Sequence, residues 1–160
     1  MKARIVSLAA LTLIGSIALS HAAQAQTPTT NNYNYVGLGL GVGDLGDSDL
    51  GLAINSKLTV GNQVSVRPGL ITDFDFSDGQ TSFTLPVTYD FNPITPNGKL
   101  LPYAGGGIAA KTGDDSEIAP LLTAGVDYRL SDKVTINGSV NWSIYENSDV
   151  NGVLGVGYTF

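Results

Sequence analysis

Eight times along this chain, large apolar residues alternate with small or polar ones, and the last such run is Val153 to Phe160. There Leu154, Val156, Tyr158 and Phe160 share one face, while Val153, Gly155, Gly157 and Thr159 share the other. A period of two is the pleat of a β-strand, because successive side chains point to opposite sides of the backbone. No stretch downstream of the N-terminal region carries a convincing helical period. The pattern therefore constrains the chain to an all-β fold in which one sheet face is greasy and the other is small or polar.

The runs follow one another at short intervals. Val36, Leu38, Leu40 and Val42 alternate with glycines; Leu50, Leu52, Ile54 and Leu58 alternate with Gly51, Ala53, Asn55 and Lys57. Val64, Val66, Pro68, Leu70 and Phe74 oppose Ser65, Arg67, Gly69 and Asp73; Phe83, Leu85, Val87, Tyr89 and Phe91 oppose Ser82, Thr84, Pro86, Thr88 and Asp90. In the fifth run both faces are small, and Pro102, Ala104, Ile108 and Ala110 are assigned outward. The sixth places Leu122, Ala124, Val126, Tyr128 and Leu130 outward, and the seventh Val134, Ile136, Val140, Trp142 and Ile144. Pro68 and Pro86 predict bulges or lost ladder bonds, since proline has no N–H to donate.

The connections differ by end. Those after even-numbered runs are Gly61-Asn62-Gln63, Asn92 to Gly98, and Ser131-Asp132. Those after odd-numbered runs are acidic, so that eleven of the fourteen carboxylates collect at one end of an up-and-down meander. The thirteen aromatic residues fall near run ends: Phe74, Phe76, Phe83, Trp142 and Tyr145 toward the acidic end, and Tyr33, Tyr35, Tyr89, Phe91, Tyr103, Tyr128, Tyr158 and Phe160 toward the other. Two aromatic belts separated by an aliphatic band are what a barrel in lipid requires. Parity points Tyr35 and Tyr103 inward.

The N-terminal 25 residues read as a secretory signal: Lys2 and Arg4, an apolar core from Ile5 to Leu19, and Ala23-Gln24-Ala25 at the cleavage site. Residues 26–32 read as a flexible polar lead-in, and 33–160 as one barrel domain. The chain has no cysteine, and its one histidine, His21, lies in the signal. That removes the commonest general base and metal ligand, and no serine has an evident base partner, so no catalytic residue and no cofactor is expected. The acidic balance excludes nucleic acid as a partner class.

The expected fold is thus an eight-stranded up-and-down antiparallel transmembrane β-barrel in the outer membrane of a Gram-negative-type cell. Closure satisfies every backbone polar group without water, and strands rather than helices make the crossing. A soluble ligand-binding barrel would show the same alternation with the greasy face inside; the banded aromatics and the glycine-rich, charge-poor second face argue against it.

Pro102-Tyr103-Ala104-Gly105-Gly106-Gly107 and the ending Val156-Gly157-Tyr158-Thr159-Phe160 resemble the small outer-membrane barrels of the OmpA transmembrane domain, OmpX and opacity type. The resemblance spans Tyr33 to Phe160. It implies that Leu154, Val156, Tyr158 and Phe160 form a signal read by the barrel-assembly machinery. The outer loops are shorter than in the larger members, and a periplasmic domain like theirs is not expected.

Inward-facing Lys57, Arg67, Asp90, Asp127 and Arg129, with Tyr35 and Tyr103, fall near the non-acidic end. They read as a plug of ion pairs and phenol hydroxyls, because buried charges must be paired and eight strands enclose a lumen that side chains fill. The competing reading is a gate or selectivity ring in a narrow, weakly cation-preferring pore. The acidic loops read as a solvated rim facing lipid headgroups and lipopolysaccharide, with divalent cations as a further partner class. Asp73, Asp75 and Asp78 with Gly79 faintly resemble a calcium loop, but the glycine stands one position late and Thr84 replaces the expected Glu. Gly41 to Gly46 spells a dinucleotide fingerprint that no helix follows.

Overall fold

The structure, a computed structural model, describes residues 31–43, 50–73, 80–112, 116–146 and 148–160. The signal, most of the lead-in, and Phe74, Asp75, Phe76 and Asp78 lie outside the described residues, as do Asp44, Asp47, Asp49, Asp114 and Asp115.

Nine strands follow in order: β1 Tyr35–Gly43, β2 Leu50–Gly61, β3 Val64–Val66, β4 Gly69–Asp73, β5 Thr81–Asp90, β6 Leu100–Thr112, β7 Glu117–Arg129, β8 Val134–Ile144 and β9 Ser148–Thr159. Consecutive strands pair antiparallel except β3 and β4, each of which pairs with β2 and β5, and β1 pairs with both β2 and β9, which closes the sheet. β3 and β4 are two halves of one barrel wall. Both lie between β2 and β5 in a single register, with Val66 facing Val87 and Gly69 facing Thr84. The barrel is therefore closed and eight-stranded.

The break between β3 and β4 has a local cause. Arg67 N donates to the Pro86 carbonyl and Ser56 N donates to the Pro68 carbonyl. In an antiparallel narrow pair the partner N–H would return each bond, and proline has none. Two adjacent rungs are thus halved, while Ser56 Oγ adds a bond to the Pro68 carbonyl at 2.8 Å. The predicted effect of both prolines is what the ladder shows.

Walking across the sheet from Tyr35 through Lys57, Arg67, Pro86, Gly107, Leu121 and Ser143 arrives at Asp149, two residues beyond Asn151, the partner of Gly43, a stagger of about ten residues per circuit. Such a stagger tilts the strands and sets side chains distant in sequence at one depth in the lumen.

The greasy face is outside. Leu38 and Leu154 are 61% and 65% exposed, and Leu40, Val87, Ile108, Val140 and Val156 join them in one apolar belt. A belt of this extent is stable only against lipid or a partner. Inward positions are mostly small or polar, with Ile71, Leu101, Leu121 and Val153 as apolar exceptions, and Ile108 lies outward as parity predicts. The greasy-inside arrangement of a soluble ligand-binding barrel is not what the chain adopts. Leu154→Arg, at the middle of β9, is accordingly expected to cost about 2–4 kcal/mol in lipid vesicles. Urea unfolding checks this; a change within about 0.5 kcal/mol, as on a water-exposed surface, would argue for a soluble barrel.

The aromatic belt at the knot end stands; at the acidic end Phe74 and Phe76 lie outside the described residues, and two tyrosines are corrected. Tyr89, Phe91, Tyr158 and Phe160 face outward at one end and Trp142 at the other. Tyr33 and Tyr145, which the sequence assigns to the belts, are instead buried inside. Tyr145 continues the inward row of Asn141 and Ser143 past the end of β8.

Candidate functional site

The lumen is layered, and its lower layer, at the end bearing both described termini, is a charged knot. Inward parity on successive walls supplies Tyr35 from β1, Lys57 from β2, Arg67 from the β3–β4 break, Asp90 from β5, Tyr103 from β6, Asp127 from β7 and Asn137 from β8. The last wall, β9, contributes glycines here. A Cβ on Gly157 would lie 2.7 Å from the Tyr35 ring, so its bareness is what admits the ring.

Arg67 is the centre. Its Nη2 donates to Asp127 Oδ2 at 2.9 Å and to Asp90 Oδ1 at 3.0 Å. Nη1 reaches Asp127 Oδ1 and the Tyr35 hydroxyl, both at 3.3 Å, and Nε donates to Thr88 Oγ1 at 3.0 Å. The guanidinium lies 3.4 Å from the centroid of the Tyr103 ring. A planar fork with five donors can serve two carboxylates and a ring face together, which an ammonium cannot. Lys57 Nζ pairs with Asp90 Oδ2 at 3.1 Å. Asp127 further accepts from the Tyr33 hydroxyl at 2.6 Å, from Tyr35 at 3.2 Å and from Asn137 Nδ2 at 2.7 Å. Ser65 Oγ donates to Asp90.

Two cations meet two anions, and all four are buried. Seven of the candidate residues were named from the sequence, and six of them meet in this knot. Arg129 does not join its ion pairs. Its guanidinium faces the Tyr33 ring at 5.1 Å, and its Nε has no hydrogen-bond partner. Sequence reasoning missed Tyr33, Asn137, Thr88 and Ser65. The last three lie on inward parity, which was the signal available for them.

Above the knot lies a small cavity of about 30 Å³, lined by Asn55, Thr84, Thr123, Ser139 and Asn141 among others. That is room for about two waters. The next layer is apolar: Ala53, Ile71 and Val153 form one cluster, and Ala109, Ala119, Leu121 and Tyr145 another. At the acidic end Lys111 pairs with Asp149, with its Nζ 4.5 Å from the Tyr145 ring centroid. Lys111 is a second ion-pairing residue that parity with Tyr103 could have identified.

Of the weak metal candidates, Asp73 is buried and its Oδ2 accepts from Gln80 N at 2.9 Å; Asp75 and Asp78 lie outside the described residues. Among the described residues no group of three or more ligating side chains could hold a metal ion. Chemically, the knot is a paired network: Tyr35, Arg67, Tyr103 and Asn137 border the cavity above, but their polar atoms are engaged with one another and with Asp127.

No protein-family model matches the chain, and no curated protein matches it in sequence. Solved structures do. The N-terminal β-barrel domain of Pseudomonas aeruginosa OprF is similar with a TM-score of 0.60 at 17% identity, over 81% of this chain and 98% of that one. The Yersinia pestis outer membrane protein Ail, in a phospholipid bilayer nanodisc, is similar with a TM-score of 0.55 at 13% identity, over 80% and 99%. A de novo designed transmembrane β-barrel is similar with a TM-score of 0.58 at 14% identity, over 86% and 100%. At these identities the likeness is one of fold: a small eight-stranded barrel of the outer-membrane kind.

Proposed function

We propose that the chain is an integral outer-membrane barrel of a Gram-negative-type envelope, with a structural or envelope-interaction role and a closed lumen. The observation that carries this reading is the Arg67 knot, which ties seven of the eight walls together below a cavity of only about 30 Å³. A protein that conducted would have to break a neutral, saturated ion-pair network at each opening. The apolar outward belt and the fold likeness support the membrane location. The paired charges of the knot, none of them free to act as acid or base, support a non-catalytic role.

Recording from refolded protein in a planar bilayer tests the closed lumen. The expected result is no steady conductance. A steady, cation-selective conductance changed by Arg67→Ala would instead establish the narrow pore, which the polar lumen and acidic rim favour as second reading.

The short turns at the knot end favour a periplasmic orientation of that end, since bacterial barrels have short periplasmic turns. The acidic rim then faces outward, where hard carboxylate oxygens suit divalent cations bridging to anionic lipopolysaccharide. The outward row Leu154, Val156, Tyr158 and Phe160 is available to the assembly machinery. Phe160 also exchanges both backbone bonds with Asn34, at 2.9 and 3.4 Å. Deleting Phe160 is expected to lower the yield of heat-modifiable, folded protein in the outer membrane. Normal assembly without it would remove this role for the terminus.

A further inference from the structure

The four residues before β1 do not trail away from the barrel; they turn into its lower mouth. Asn34 N and O pair with Phe160, extending the β1–β9 ladder by one rung. Beyond that rung the chain folds under the mouth, and Asn31 and Tyr33 are buried. Asn31 belongs to the stretch that composition assigns to a flexible lead-in.

What holds 31–33 is side-chain chemistry rather than ladder. Lys57 Nζ donates to the Asn31 carbonyl at 2.9 Å, and Thr59 Oγ1 donates to the Tyr33 carbonyl at 2.9 Å. Tyr33 fills the opening. Its hydroxyl donates to Asp127 Oδ2, and its ring lies 3.5 Å from Lys57 Nζ and stacks on Tyr35 with centroids 6.4 Å apart. The Lys57–Asp90 and Arg67–Asp127 pairs involve no atom of this segment. The segment can therefore leave without dismantling the knot behind it.

We propose that Asn31–Asn34, with Tyr33 as stopper and Asn34 as hinge, is a detachable plug of the periplasmic mouth, in series with the Arg67 knot. The lumen then has two separate barriers at its lower end, and only loss of both opens it from that side. This rests on the closed-lumen reading and adds its regulation.

The chain has no cysteine, so Thr135→Cys introduces a unique thiol at a buried inward position opposite Arg129. Its rate of modification by a small charged thiol reagent reports access to the mouth. Adding Tyr33→Ala is expected to raise that rate about tenfold or more, with heat-modifiable gel migration verifying the fold. Thr59→Val, which removes one latch bond and little volume, is expected to raise it by a smaller factor. In planar bilayers Tyr33→Ala and Arg67→Met are each expected to stay closed, and the double variant to conduct. An unchanged labelling rate in folded Tyr33→Ala, or full conductance from Arg67→Met alone, overturns the plug. Conductance by the unmodified protein overturns the closed lumen instead, and the labelling result still decides whether the plug exists.

Discussion

Arg67→Ala is expected to destabilise the barrel by about 3–5 kcal/mol, the cost of removing one partner from a buried ion-pair network. The reason is what remains. Asp90 retains Lys57 and Ser65, but Asp127 loses both bonds to the only cation that pairs with it among the described residues. Hydroxyl and amide donors from Tyr33, Tyr35 and Asn137 cannot neutralise a carboxylate that is fully buried. Urea unfolding in phospholipid vesicles measures the loss, followed by the fluorescence of Trp142, the single tryptophan, which faces lipid. A companion variant separates charge from volume. Arg67→Met fills more of the space and leaves the same stranded anion, so it should cost nearly as much as alanine. Arg67→Met with Asp127→Asn removes the anion and should recover at least half the loss. If the double variant is no more stable than Arg67→Met, the loss comes from packing around the Tyr103 ring and not from stranded charge.

The same knot marks where reading a sequence stops. Which face most residues take was legible, because a strand's period is two. That is why Ile108 could be assigned outward in a run whose two faces are almost equally small. Leu70, placed on the greasy outer face of the third run, is instead buried next to the proline-broken rungs. The halved rungs at Pro68 and Pro86 were legible too, since a missing N–H is a local fact. Partner choice across the lumen was not. Arg67 meets Asp127 sixty residues away, and that meeting depends on the stagger of the closed sheet, which no single run encodes. Lys111 and Asp149 present the same problem at the other end. Tyr33 and Tyr145 were misassigned for a different reason. Both lie just beyond a strand, where depth suggests a membrane belt but the chain has turned inward; for Tyr145 the parity of Asn141 and Ser143 carried the right answer.

Glycine supplies the other large effect. Gly39→Val is expected to prevent closure of the barrel rather than merely weaken it. Gly39 on β1 faces Gly155 on β9, at the seam where the first wall meets the last. A Cβ there would lie 2.6 Å from the Gly155 Cα and closer still to the Leu154 carbonyl oxygen. Both obstacles are backbone, so no rotamer change relieves them; the two strands would have to move apart and give up ladder bonds that lipid cannot replace. Ordinary overpacking costs about 1–3 kcal/mol because side chains share the strain, and here there are none to share it. Gly105 on β6 is under the same constraint, with a Cβ 2.6 Å from the Thr88 Cα and closer to the Val87 carbonyl oxygen. Gly138 is the control: it faces outward, and a Cβ there would meet only the Leu154 Cδ1, at 4.0 Å. Gly138→Ala should therefore fold as well as the parent or gain about 0.4–1 kcal/mol through the unfolded chain. Refolding into detergent or vesicles, scored by the heat-modifiable fraction, is expected to fail for Gly39→Val and Gly105→Val and to succeed for Gly138→Ala. Normal yield from Gly39→Val would mean that the seam is looser than its backbone contacts require, and that the interior, not the seam, holds the first and last strands together.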